Sequence, residues 1–192
     1  MNQCSLTNVE YQKLVDRLEF DDTTRNQLLT FSFTTVLAVL GVALGVNLSS
    51  SLSATIFLIP YLLIIPFEAR ISYYRLESAQ INTFLSVFAG EKQLYYIGSG
   101  VVKEDKCKHY GLIAWLVNNE MVLLGIATGI VFYIKYIPSV KVWDCLFLFP
   151  LILPVIAETI IIIITEATID YGYLNGLFET NWTDYKKMIE HQ

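Results

Sequence analysis

The chain has 192 residues, is 54% hydrophobic and carries a formal charge of −5, and its mean hydropathy is +0.49. That length allows one membrane domain with small soluble appendages. The charge is spread over several loops and singles out no partner, while three scattered cysteines, Cys4, Cys107 and Cys145, exclude a disulfide framework.

The first 28 residues are polar and contain Asp21 and Asp22. A signal peptide has a basic start and a short apolar core near the N-terminus, so the first apolar run is expected to remain in the mature protein. Within residues 5–20, Tyr11, Leu14, Val15 and Leu18 follow the i, i+3, i+4, i+7 rule of an amphipathic helix. Asp21, Asp22 and Thr23 then offer an N-cap for a second helix.

Four apolar runs follow, at residues 29–48, 52–67, 121–137 and 143–165. Each approaches the roughly 20 helical residues needed to cross a hydrocarbon core. In lipid the backbone must satisfy its own hydrogen bonds, so these runs are expected to be helices. The first carries Thr34, Ala38, Gly41 and Gly45 along one face, and the third carries Gly125 and Gly129. Both glycine pairs have the GxxxG spacing that lets helix backbones approach closely, within one bundle or between subunits. The second and fourth runs hold Pro60, Pro66, Pro150 and Pro154, each expected to kink its helix.

Beyond Pro66 the helical pattern continues through residues 67–89. Phe67, Ile71, Tyr74, Ser78, Ile81, Leu85 and Phe88 alternate spacings of four and three, which is a heptad seam. Glu68, Arg70, Arg75, Glu77 and Gln80 then fall on the other faces. Gly98-Ser99-Gly100 suggests a small hairpin, followed by Lys103, Lys106, Lys108 and His109. Residues 171–182 are aromatic-rich and are expected to fold back beneath the bundle.

Basic residues orient the scheme. Eleven of the thirteen lie before the first run, between the second and third, or after the fourth; the exceptions are Lys135 and Lys141. Both termini and the middle are therefore expected on the cytoplasmic side. The expected architecture is an all-α integral membrane protein: four transmembrane helices in two hairpins, with a cytoplasmic helical stalk between spans two and three. Its segments are a cytoplasmic N-terminal helix (1–28), a first hairpin (29–67), a stalk and loop (68–120), a second hairpin (121–165) and a cytoplasmic tail (166–192).

Glu158 carries the chemistry. A carboxylate well inside the fourth run costs a few kcal/mol on insertion scales and must face water, a cavity or a partner. Asp144, Leu151, Glu158 and Thr165 recur every seven residues and lie near one face. Asp144, Glu158 and Thr165 are therefore expected pore-lining residues, with Asn118, Asn119 and Glu120 at the inner mouth. The alternative for Glu158 is an internal pair with Tyr61, Thr128 or a neighbouring polar group. Lys103, Lys106, Lys108 and His109 form the expected ligand surface, with Arg70 and Arg75 as a second candidate. No enzyme is expected: neither His109 nor His191 lies in a run, and no phosphate loop, serine-nucleophile motif or HExxH is present. Cys107-Lys108-His109 offers too few ligands for a metal, and no cofactor is implied.

The segment Glu68-Ala-Arg-Ile-Ser-Tyr-Tyr-Arg75, with Ile81, Phe84, Val87, Phe88 and Glu91 beyond it, resembles the post-hairpin helix of small four-span membrane effectors of bacterial anti-phage defence. These include effectors paired with nucleotidyltransferases and Hailong-type channel subunits. The likeness covers residues 68–91 and the overall plan. It implies a homo-oligomeric pore, for example a tetramer, in the bacterial inner membrane. Such a pore is held shut until infection and controlled by a nucleotide or oligonucleotide from a partner nucleotidyltransferase. A non-conducting membrane binding or immunity protein and a small transporter are the competing classes.

Overall fold

The computed structural model describes residues 7–45, 55–89, 115–139, 145–169 and 171–190. Among them the chain is entirely helical. Helix α1 spans Asn8–Gly45. A 3-10 turn, Thr55–Leu58, leads into α2, Ile59–Ala89. Then come α3, Glu120–Ser139, α4, Cys145–Ile169, and α5, Tyr171–Glu190. Four helical stretches are long and apolar enough to cross a membrane: Asn8–Gly45, Thr55–Phe88, Glu120–Ser139 and Leu148–Thr168. Only 17% to 44% of their most apolar windows is buried within the chain. Most of that apolar surface is thus left for lipid or another chain.

Two sequence expectations change. Residues 21–23 do not cap a second helix; they lie inside the unbroken α1. The cap sits at its start. Thr7 Oγ1 accepts from the Glu10 amide at 3.3 Å, and the Thr7 amide donates to Glu10 Oε2 at 3.1 Å. This is a capping box, T-x-x-E, which satisfies two otherwise orphaned amides. The Thr7 hydroxyl and amide together hold the Glu10 carboxyl below its ordinary range. Pro60, in turn, is the second residue of α2. A proline there removes no intrahelical bond, because first-turn amides have no partner anyway. Pro66, Pro150 and Pro154 do lie inside helices.

The chain divides into two compact units. One comprises Met1–Arg25, Tyr73–Asn118 and Thr168–Gln192; the other comprises Asn26–Ser72 and Asn119–Ala167. In the first unit, Trp182 of α5 sets its ring edge against Phe84 of α2 at 4.9 Å. Lys186 Nζ donates to the Val87 carbonyl at 3.0 Å and lies 5.6 Å from the Phe88 ring centre. The tail helix thereby supplies a cation and a donor to the last turn of α2, whose terminal carbonyls have no helical partner. The seam residues of α2 are buried or half-buried along its length, with Ile71 and Leu85 wholly enclosed. Glu68 and Arg75, which fall on the other faces, are buried as well. Seven-residue spacing puts both on one side of α2, beside the seam, where the helices packed around α2 also reach.

Arg17 of α1 joins two carboxylates in this unit. Its guanidinium donates to Glu77 Oε1 at 2.8 Å and lies 3.2 Å from Asp21 Oδ1. The Asp21 side chain is fully enclosed. Burial first, then the Glu77 charge, push its carboxyl above the ordinary 3.8; Arg17 offsets this only in part, and Asp22 adds to it. An acid whose folded pKa is raised favours folding most below its unfolded value, and that contribution falls away as pH rises through the folded value. Asp21→Asn is therefore expected to raise the thermal midpoint at neutral pH and to lose that gain in acid. Melting followed by circular dichroism in detergent checks it; a lowered midpoint at neutral pH means that the Arg17 contact outweighs burial.

The second unit has the apolar core. Val36 and Leu40 of α1, Phe57 of the 3-10 turn, Ile64 and Ile71 of α2, Met121, Leu124 and Phe132 of α3, and Ile161 of α4 are buried together. Ring contacts add to it, with Phe31 and Phe67 edge to face at 5.7 Å and Phe132 stacked on Tyr136 at 5.0 Å.

Candidate functional site: a carboxylate beside two glycines

The site lies where α2, α3 and α4 meet in the second unit. Helix α3 presents Gly125 and Gly129 one turn apart, leaving a strip of bare backbone. Two polar side chains fill it. Tyr61 of α2 donates its hydroxyl to the Gly125 carbonyl at 2.8 Å. The same hydroxyl oxygen lies 2.8 Å from where a Cβ at Gly129 would sit. Glu158 of α4 folds onto Gly125, and a Cβ there would collide with Glu158 Oε2. A Cβ at that position would also stand 3.2 Å from Ile161 Cδ1.

Both Glu158 oxygens are buried, and neither has a hydrogen-bond partner among the described residues. Of the alternative internal pairs, a hydrogen bond to Tyr61 or to Thr128 does not form. The Tyr61 proton goes to Gly125, and the Thr128 hydroxyl donates to the Leu124 carbonyl at 2.9 Å. A buried polar group without a partner costs roughly 1–3 kcal/mol, more when charged, so such groups mark strain, function or an absent ligand. Glu158 also lines a cleft of about 350 Å³. Its walls are Ile126, Ile130, Val155 and Ile162, with Tyr61, Tyr133 and Thr159 as the other polar side chains. The four apolar wall residues are all exposed within the chain, so the cleft opens on the apolar surface.

Other expected site residues are placed differently. Thr165 is 1% exposed. Its hydroxyl lies 2.8 Å from Glu68 Oε1 of α2 and 2.8 Å from the Ile161 carbonyl. Ser72 donates to the same Glu68 oxygen at 3.2 Å. Thr165 thus joins a buried α2–α4 contact within the chain, away from the Glu158 cleft. Arg75 donates to the Asn118 carbonyl at 3.2 Å, Asn119 is buried and its carbonyl accepts the Leu123 amide as α3 begins. Glu120 is the first residue of α3. Arg70 is exposed on α2. Asp144, Lys103, Lys106, Lys108 and His109 lie outside the described residues, as does the expected hairpin around Gly98 and Gly100.

Glu68 is the residue that sequence reasoning missed. Its signal was present: it follows Pro66 and Phe67 directly, at the end of the second apolar run. A carboxylate that borders an apolar run needs partners for the same reason that Glu158 does.

In the first unit, a groove of about 550 Å³ is floored by Leu14, Ile81, Phe84 and Trp182. Lys13 and Arg17 on its rim are matched by Glu10 and Glu77. Its charge balance favours no polyanion.

Comparison with family models, with curated proteins and with solved structures gave no match.

The two GxxxG pairs are unequal. Among the described residues, nothing lies within 4 Å of a Cβ built on Gly41 or Gly45. Gly125→Ala is expected to destabilise the folded chain by roughly 1–3 kcal/mol, the usual cost of overpacking. Gly41→Ala should leave it unchanged or raise it by up to about 1 kcal/mol through helix propensity. Unfolding in detergent micelles compares the two; equal midpoints would mean that Glu158 moves aside freely.

Proposed function

We propose that this chain is a homo-oligomeric, pore-forming membrane effector that conducts ions, is closed at rest and is gated from the cytoplasm. One observation carries the reading: Glu158, a carboxylate in the most apolar helix, receives no hydrogen bond among the described residues and borders a cleft. A buried ionisable group kept without a partner is costly, and in membrane helices such residues characteristically mark ion or substrate paths. Four spans are too few to enclose a wide pore alone, so conduction calls for several copies. The uncovered apolar faces and the open glycine face at Gly41 and Gly45 are compatible with lateral assembly.

In the proposed arrangement the spans form two hairpins in the bacterial inner membrane, with both termini in the cytoplasm. The basic-residue distribution supports that orientation. Reporter fusions at Met1 and Gln192 should both signal from the inside; an outside signal from either end sinks the scheme. A pore open at all times would kill its host, so a resting block is required. In the defence setting that the 68–91 resemblance implies, a nucleotide or oligonucleotide from a partner nucleotidyltransferase relieves or sets that block. Lys103, Lys106, Lys108 and His109 are the proposed contacts, with the exposed Arg70 as the second candidate; Arg75 is buried against the Asn118 carbonyl and drops out of that surface.

Conductance decides the matter. Purified protein in planar bilayers should pass cation-selective current, and Glu158→Gln should reduce that selectivity while the protein still assembles. Addition of oligonucleotide should change the current, and replacing Lys103, Lys106 and Lys108 with Ala should abolish that response. No current with or without nucleotide would instead indicate a non-conducting binding or immunity protein.

A further inference from the structure

The cleft beside Glu158 has a chemical bias that the carboxylate alone does not reveal. Four lining residues carry polar side-chain atoms: Tyr61, Tyr133, Glu158 and Thr159. Three of these are hydroxyls, and each has only one proton to give. Tyr61 gives its proton to the Gly125 carbonyl at 2.8 Å, Tyr133 to the Leu151 carbonyl at 2.7 Å and Thr159 to the Val155 carbonyl at 2.7 Å. A carbonyl can only accept, so the direction of these bonds is fixed. What remains on the three hydroxyl oxygens is lone pairs. The carboxylate adds more acceptors and receives no donor among the described residues. Every other lining residue is apolar or glycine. Among the described residues, the side chains of this cleft therefore offer acceptors and no free donor.

A polar lining of this kind suits a cation. We infer that the cleft between α2, α3 and α4 is a binding site for a monovalent cation, held by Glu158 with the Tyr61, Tyr133 and Thr159 hydroxyl oxygens as neutral acceptors. The single carboxylate matches a single positive charge. A calcium ion would seek six to eight oxygens and usually more than one carboxylate. The volume, about 350 Å³, also leaves room for several waters, each needing about 30 Å³. The ion can therefore keep part of its hydration shell. In the described position Glu158 lies folded against Gly125 with its oxygens closed off. Binding requires the side chain to turn away from Gly125 into the cleft that it already borders. The two positions are an occluded one, seated on the glycine, and an open one, facing the ion.

The inference refines the conduction reading, on which its physiological meaning rests, but binding is tested apart from current. The probe is dicyclohexylcarbodiimide, an apolar reagent that adds to carboxyl groups in membrane-facing clefts. The full chain in lipid nanodiscs is treated in sodium, potassium or N-methylglucamine chloride at constant ionic strength. Adducts are located by peptide mass mapping. The expected result is an adduct on Glu158, absent in Glu158→Gln. Its formation should slow about tenfold when sodium or potassium is present at about ten times its dissociation constant, because labelling follows the cation-free fraction. Tyr133→Phe removes one acceptor and should weaken that protection while labelling persists. The inference is overturned if Glu158 is not labelled, or if it is labelled at one rate in all three salts. Cation protection in a protein that passes no current upholds the site and sinks only the pore; current without protection does the reverse.

Discussion

Helix α3 meets its neighbours where it has no side chains. The Gly125 carbonyl takes the Tyr61 proton from α2, and its α-carbon takes the Glu158 carboxylate from α4. Lipid tails are as apolar as leucine, so burying leucine against leucine gives little drive between helices in a bilayer. Close backbone contact and hydrogen bonds across helices provide it instead. The same economy recurs around this point. Tyr133 bonds the Leu151 carbonyl on α4, and Ser32 of α1 lies 3.4 Å from Met121 Sδ on α3. The apolar core of the second unit fills the space that these contacts define.

This arrangement changes the meaning of the GxxxG motif in α3. The spacing licenses close approach by anything, and a sequence does not say by what. Here the approaching groups are a tyrosine and a glutamate of the same chain. In α1 the identical spacing at Gly41 and Gly45 meets none of the described residues. The difference comes from Tyr61 and Glu158, residues 64 and 33 positions away from Gly125 in sequence, which no local pattern around the glycines contains.

What was legible in the sequence followed from physics that acts along the chain. Run length and the need for self-satisfied backbones mark the four apolar helices, and the seven-residue seam marks the continuation of α2 past Pro66. Glu158 stands out because ionisable residues are rare in such runs. The misread features depend on competition between sites. Asp21, Asp22 and Thr23 have capping chemistry, but a better cap exists at Thr7 and Glu10, and α1 runs through without a break. Pro60 is harmless only because the helix begins one residue before it. Glu68 and Arg75 fall off the seam of their own helix, and the seam pattern does not mark them as buried. Their burial comes from the elements packed around α2, such as Thr165, nearly a hundred residues away in the chain.

Two of the carboxylates at or within the apolar runs, Glu68 and Glu158, differ in the donors around them. Glu68 is fully enclosed, yet Ser72 donates to its Oε1 at 3.2 Å, and the Thr165 hydroxyl lies 2.8 Å from that oxygen with its one proton shared between it and the Ile161 carbonyl. That carboxylate joins α2 to α4 and has the environment of a structural group. Glu158 has hydroxyl-bearing neighbours too, in Tyr61, Tyr133 and Thr159, but every one of their protons is directed to a backbone carbonyl. If stability alone governed the position, turning a single hydroxyl towards the carboxylate, or replacing the glutamate with leucine, would relieve the cost. A helix that keeps an acid where its described neighbours withhold their donors has left the charge to be met from beyond those residues.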